Sequence, residues 1–185
     1  MPTVKAKSKE KYQNAAKLLA DGEVEEAIKS LREIIAEKPD HVNAMVTLAV
    51  ALMESQTTPD ANAPQTEEAL LLLDRAARIN PKDPIPLFNR GVCLRKLGQP
   101  EKALESFLAA LKIQKKLPLA LLHVAEINYE LGRWETAIDF ARKALVRDPG
   151  LEGALGWVRD AMSKAGMLDD KGNAITEPKQ STTER

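Results

Sequence analysis

Apolar residues recur at helical spacing in two consecutive segments near the middle of the chain. The positions are Leu87, Cys93, Leu94, Leu104, Phe107, Leu108 and Leu111. Within each segment, steps of three, four or seven residues place such side chains on one face of a helix. Gly98 and Pro100 stand between the segments. Glycine suits the left-handed turn that ends a helix, and proline suits the first turn of the next one. The pattern therefore predicts two amphipathic helices joined at Gly98.

Small residues repeat along the chain with a constant period of 34 residues. The pairs that show this period are Gly91 and Ala125, Gly98 and Gly132, Ala103 and Ala137, and Ala110 and Ala144. The N-terminal part keeps the same internal spacing at Ala15, Leu18, Gly22, Ala27 and Pro39. Fixed self-similarity of this kind is the signature of a repeat protein, in which each helix pair buries its apolar face against its neighbours.

These small, glycine and proline positions resemble the degenerate signature of the tetratricopeptide repeat (TPR) family. The resemblance implies an all-α fold, a right-handed superhelical solenoid of antiparallel helix pairs with four TPR units and a C-terminal capping helix. We expect a TPR domain over 8–166, with repeats at about 8–41, 42–83, 84–117 and 118–151, an inserted loop at 55–66 in the second repeat, and a capping helix at 152–166. The polar segments 1–7 and 167–185 are expected to be disordered.

Composition and charge limit the classes of partner. The chain has 185 residues, with 27 Lys and Arg against 27 Asp and Glu, so no net field gathers nucleic acid or anionic lipid. The single cysteine, Cys93, cannot form an internal disulfide. Met1 to Lys11 has no apolar run typical of a signal peptide, and no stretch is long enough to insert in a membrane. We therefore expect a cytoplasmic protein that binds neither nucleic acid nor membrane.

Catalytic chemistry has little support in the sequence. Neither of the common glycine-rich phosphate-binding motifs occurs, and one Cys with two His is too few for a structural zinc site. His123, Glu126 and Glu130 share one helical face, which we interpret as a solvated or partner-facing polar cluster rather than a metal site. We expect a non-enzyme with no cofactor, no metal and no catalytic residue.

The family resemblance implies that the first helix of each repeat lines a concave groove. The groove residues it implies are Tyr12, Gln13, Val46, Thr47, Val50, Phe88, Asn89, Val92, Arg95, Leu122, His123, Glu126 and Tyr129. An apolar groove with polar groups around it suits an extended peptide or an amphipathic helix. We expect Val50, Phe88, Val92 and Leu122 to anchor such a partner, and the polar members to orient it.

The sequence is compatible with three functions. The first is a non-catalytic adaptor, scaffold or assembly factor that binds one protein partner. The second is a structural scaffold that self-assembles, and the third is a peptide-binding chaperone for secreted or membrane subunits. The five-residue clamp with which some TPR domains hold a terminal carboxylate is not predicted, because only Asn89 matches it.

Overall fold

The computed structural model describes residues 4–169 and 171–175, and this part of the chain is helical along most of its length. It contains nine α-helices in the order α1 (Val4–Ala20), α2 (Val24–Glu37), α3 (Val42–Glu54), α4 (Pro64–Ile79), α5 (Ile85–Lys96), α6 (Pro100–Ile113), α7 (Pro118–Glu130), α8 (Trp134–Arg147) and α9 (Val158–Lys164). A 3-10 helix, Pro149–Leu155, precedes α9. Within the described residues, the only β-structure is one isolated bridge. The predicted all-α helical-repeat fold is confirmed.

The chain divides into two compact units after Lys115, and each is described by itself. Unit 1 contains α1 to α6, which pack as the antiparallel pairs α1–α2, α3–α4 and α5–α6. Helix α2 also contacts α3, α4 contacts α5, and α3 touches both α1 and α5. Unit 2 contains the pair α7–α8, and both the 3-10 helix and α9 pack against α8.

Three of the predicted glycine turns close in the same way. Gly22, Gly98 and Gly132 have φ angles of +86°, +68° and +72°, in the left-handed region that favours glycine. After α5, the Gly98 N–H donates to the Arg95 carbonyl and the Gln99 N–H donates to the Leu94 carbonyl, both at 3.0 Å. This pair of bonds is the Schellman arrangement, which satisfies carbonyls at a helix C-terminus.

The repeating alanines form the contacts between paired helices. Ala15 and Ala27 in the first repeat, Ala103 and Ala110 in the third, and Ala125, Ala137 and Ala144 in the fourth are all 0% exposed. A larger side chain at such a position would overpack the interface between two helices. The small residues that define the period are therefore the ones that the packing requires.

The N-terminal boundary differs from the prediction. Helix α1 begins at Val4, whereas 1–7 was expected to be disordered. Lysine and alanine favour helix, and the segment 4–20 contains no glycine or proline, so the helix continues toward the N-terminus. Residues 1–3 lie outside the described part.

The inserted loop is shorter than predicted. Helix α3 ends at Glu54 and α4 begins at Pro64, so the loop spans 55–63 rather than 55–66. Thr66 is fully buried in the first turn of α4. The Gln56 side-chain amide donates to Thr66 Oγ1 and to the Leu52 carbonyl, both at 3.1 Å. These bonds tie the loop to both helices that it connects.

The C-terminal cap is not the single helix predicted over 152–166. It consists of the 3-10 helix followed by the seven-residue α9. Gly150, Gly153 and Gly156 recur every third residue, and glycine disfavours a continuous α-helix by about 1 kcal/mol at each position.

The beginning of the predicted disordered tail is folded instead. Leu168 and Ala174 form the isolated antiparallel bridge, and the Ile175 N–H donates to the Met167 carbonyl at 2.9 Å. The Asp169 carboxylate accepts the backbone N–H groups of Lys171 and Asn173. Side chain to backbone bonds of this kind stabilise tight turns. Residue 170 and residues 176–185 lie outside the described part.

Candidate protein-binding face

Helix α3 keeps one stripe of side chains open to solvent. Val46, Thr47 and Val50 are partly exposed, and Asn43 and Glu54 extend the stripe at helical spacing. The remaining side chains from Ala44 to Met53 are buried. All three residues that the sequence assigns to the groove on α3 therefore lie on its open side.

Helix α5 repeats this arrangement. Phe88, Asn89, Val92 and Arg95 are partly exposed, while Gly91, Cys93 and Leu94 are buried. The Phe88 ring meets the buried Phe107 ring of α6 edge to face, with centroids 5.5 Å apart and an interplanar angle of 62°. The Phe88 ring therefore packs on the interior ring of Phe107 and remains partly exposed to solvent.

Helix α1 completes the surface on the other side of α3. The Tyr12 hydroxyl and Thr47 Oγ1 are hydrogen-bonded at 3.0 Å, and Gln13 is exposed. Because α3 contacts both α1 and α5, the predicted residues lie on three adjacent helices, and we group them as one candidate surface. We name it the open face of unit 1, consisting of Tyr12, Gln13, Val46, Thr47, Val50, Phe88, Asn89, Val92 and Arg95.

The amide of Asn89 already has a partner within its own helix. Its Nδ2 donates to the Ile85 carbonyl at 2.9 Å. One of the two N–H donors of the Asn89 amide is therefore used within its own helix, and the absence of the five-residue clamp remains a prediction.

In helix α7 of unit 2, the exposed side is turned slightly from the predicted one, so that Leu119 rather than Leu122 faces outward. Leu122 is 6% exposed, so its side chain does not present an anchor to a partner, whereas Leu119 is 48% exposed. The partly exposed residues His123 and Glu126 follow Leu119 at helical spacing, with His123 Nδ1 and Glu126 Oε2 3.4 Å apart. The apolar pattern of α7 is nearly continuous, which hides which leucine faces outward.

Tyr129 belongs to an aromatic cluster that no pattern in the sequence indicates. Its ring centroid lies 5.4 Å from that of Trp134 and 4.8 Å from that of Trp157. Its hydroxyl donates to Asp160 Oδ2 at 2.7 Å, and Lys164 Nζ also lies 2.7 Å from that carboxylate oxygen. The signal in the sequence is weak, because Tyr129 and Trp134 are separated along the chain from the segment that contains Trp157, Asp160 and Lys164. We name Tyr129, Trp134, Trp157, Asp160 and Lys164 the aromatic cluster of unit 2.

Cys93, the one cysteine of the chain, is buried on α5. Burial raises the pKa of the Cys93 thiol to about 11, so it is protonated at neutral pH and a poor nucleophile. The described part contains no group of three or more His, Cys, Asp or Glu side chains that could hold a metal ion. None of its helices is both long enough and apolar enough to cross a bilayer.

Antiparallel helix pairs with glycine turns and small buried contact residues define a helical-repeat protein. The chain belongs to the tetratricopeptide repeat family, whose models match residues 18–63, 84–117 and 119–150. Repeats of this family generally form non-catalytic protein-interaction modules, and the fold of this chain is that of a protein-interaction or scaffold module.

Solved structures agree with this fold. TTC0263, a thermophilic TPR protein from Thermus thermophilus, is 26% identical with a TM-score of 0.69, over 83% of this chain and 80% of that one. PilF of Pseudomonas aeruginosa has a TM-score of 0.73 and 17% identity, over 86% and 69%. MamA from Desulfovibrio magneticus RS-1 has a TM-score of 0.63 and 17% identity, over 78% and 77%. No curated protein matches this chain significantly.

Proposed function

We propose that this chain is a non-catalytic adaptor or assembly factor that binds a segment of a partner protein on the open face of unit 1. The observation that carries the proposal is the apolar centre of that face. Val46, Val50, Phe88 and Val92 stand on the outward stripes of two adjacent helices, where a solvated surface would favour charged side chains.

The shape of this centre favours a partner that contributes several apolar side chains. Two neighbouring helices each contribute residues one turn apart, which suits the apolar side of an amphipathic helix or alternate side chains of an extended segment. Phe88 is the strongest candidate anchor, because aromatic side chains dominate the energetics of interfaces. Arg95 and Gln13 stand at the border, where they would contribute orientation more than affinity.

In unit 2, we propose that His123, Glu126 and Tyr129 contact the partner. Leu122 is buried, so the proposed apolar contact of α7 is the exposed Leu119. Leu119→Asp tests the contact in unit 2 separately, in the same peptide titration that is described below for unit 1.

The test is a peptide-binding experiment with charge placed on the open face. Peptides selected from a library of apolar helical and extended segments are titrated by fluorescence anisotropy against wild-type protein and Val50→Asp/Val92→Asp. We expect the double variant to weaken binding by at least about tenfold, since each buried charge costs more than about 1.4 kcal/mol at an apolar contact.

Val146→Asp is the matched control, because Val146 is 71% exposed on α8 in the other unit. It should bind like wild type, and circular dichroism should show that all variants keep their helices. Equal affinities for all three proteins would overturn the proposal.

The same experiment separates the other two functions. Self-assembly predicts that the sedimentation coefficient of wild type rises with concentration and that the Val50→Asp/Val92→Asp variant stays monomeric. A chaperone predicts that many unrelated apolar peptides bind with similar affinity, whereas an adaptor prefers one sequence.

A further inference from the structure

The aromatic residues of this chain are concentrated outside the open face of unit 1. The sequence contains only two tryptophans and two tyrosines. Both tryptophans and one tyrosine meet in the aromatic cluster of unit 2, which joins the end of α7, the start of α8 and α9 with the residue before it.

Two rings of this cluster lie within cation–π distance of a lysine ammonium group. Lys164 Nζ lies 4.7 Å from the ring centroid of Trp134 and 5.4 Å from that of Tyr129. An ammonium group within about 6 Å of an aromatic centroid is attracted by the negative face of the ring, most strongly by tryptophan. The two rings and the ammonium group therefore have the geometry of an ammonium-binding site.

A carboxylate completes the arrangement. Asp160 Oδ2 pairs with Lys164 Nζ at 2.7 Å and accepts the Tyr129 hydroxyl at 2.7 Å. The hydrogen bond to Asp160 raises the pKa of Lys164, and the bonds from Lys164 and Tyr129 lower the pKa of Asp160. The cluster thus favours a positive charge beside a fixed negative charge.

The site is open to exchange. The Lys164 and Asp160 side chains are 45% and 48% exposed. Lys164 and Trp134 also line a surface cleft whose other charged members are Arg133 and Glu135. Exposed ion pairs contribute little to stability, so replacing Lys164 with another cation costs little.

We propose that the aromatic cluster of unit 2 binds alkylammonium groups, and that Lys164 fills it until a lysine or methylated lysine side chain of a partner displaces it. This site is separate from the proposed function on unit 1 and does not depend on it. Wild type binds free alkylammonium ions weakly, because the tethered Lys164 competes at a high effective concentration.

The test exploits the location of both tryptophans. Intrinsic tryptophan fluorescence reports on this cluster alone, so it is followed during titration with tetramethylammonium at constant ionic strength. We expect Lys164→Ala to bind this ion about tenfold more tightly than wild type, since removal of the competitor exposes two rings. Lys164→Gln gives the same result if the alanine variant does not fold, and adding Trp134→Ala should abolish binding.

Lys143→Ala is the matched control. Lys143 forms the same kind of i,i+4 ion pair with Asp139 and lies 4.8 Å from the Phe140 ring, but it is not part of the cluster. It should titrate like wild type. A Lys164→Ala protein that titrates like wild type, or a fluorescence change that sodium chloride reproduces, would overturn the proposal.

Two further probes identify the source of the ammonium group. N-acetyl-lysine methylamide and its trimethylated form are titrated against Lys164→Ala. Tighter binding of the trimethylated probe assigns the site to methylated lysine, and equal binding assigns it to lysine in general. Binding of neither probe, with tetramethylammonium also inactive, contradicts the proposal and leaves the function of unit 1 unaffected.

Discussion

The third repeat in unit 1 and the fourth in unit 2 follow the same period but place their bulky residues differently. In the third, Gly91 on α5 leaves room for the fully buried Phe107 on α6. The corresponding pair in the fourth repeat is Ala125 and Ala141, exposed by 0% and 2%. One repeat thus divides its interior volume between a glycine and a phenylalanine, and the other between two alanines.

This difference in packing changes which aromatic side chains each repeat exposes. In the third repeat the interior ring supports Phe88 on the open face. In the fourth repeat, which lies wholly within the described residues, no aromatic side chain is fully buried, and Tyr129 and Trp134 gather at the turn between its helices. The period specifies a helix pair, whereas the position of the large side chains decides what each repeat presents to a partner.

Removing the interior ring should give the largest effect. Phe107→Ala is expected to destabilise unit 1 by about 3–5 kcal/mol, because it creates a cavity where the ring was fully enclosed. Chemical denaturation followed by circular dichroism measures the loss. Phe140→Ala, at a partly exposed ring in unit 2, should cost much less, and equal losses would contradict the comparison.

The second largest effect is expected at Gly91, opposite this ring, where alanine should destabilise wild type but stabilise the Phe107→Ala variant. A Cβ at Gly91 would lie 2.8 Å from Phe107 Cε1 and Cζ, so Gly91→Ala should destabilise wild type by about 1–3 kcal/mol through overpacking. In the Phe107→Ala background the clash is gone, and alanine should stabilise helix α5 by about 1 kcal/mol over glycine. If Gly91→Ala instead lowers the free energy of unfolding in both backgrounds, the idea that Gly91 makes room for Phe107 is refuted.

The turns should respond equally in the two repeats. Gly98→Ala and Gly132→Ala are each expected to cost about 1–2 kcal/mol, because both positions have positive φ and alanine is strained there. Gly153→Ala is the control, since its φ is not positive and a Cβ there meets nothing within 4 Å. Thermal unfolding midpoints compare the three variants. A clear difference between the first two would show that the repeats differ in their turns as well as their interiors.

The smallest effect is a pH dependence specific to unit 2. Hydrogen bonds from Lys164, and secondarily Tyr129, lower the pKa of Asp160 in the folded protein. Its contribution to stability is therefore present above the unfolded pKa of about 3.9 and is lost as pH falls through the folded value. Asp160→Asn should reduce the acid dependence of the melting temperature slightly, and Tyr129→Phe should do so less. Identical profiles for all three proteins would argue against the Asp160 interactions.

Much of the fold and part of the candidate site were predictable. Gly98 and Gly132 predicted turns because few other residues tolerate a positive φ. Val50 and Val92 are partly exposed, as a contact surface requires, because α3 and α5 each bury the opposite face, and their role in binding stays a prediction. The cap was mispredicted because the apolar residues of 152–166 keep helical spacing although glycines interrupt the α-helix. Leu122 was wrongly predicted to be exposed, because α7 has leucines at several positions and the sequence pattern does not show which of them are buried.

The sequence by itself determined the repeat, because close packing of helices restricts certain positions to small residues and tight turns restrict others to glycine. Only the tertiary structure decided the aromatic cluster, because residues from Tyr129 to Lys164 meet through the packing of separate helices. No local pattern records such a meeting, since each member alone is compatible with an ordinary exposed position.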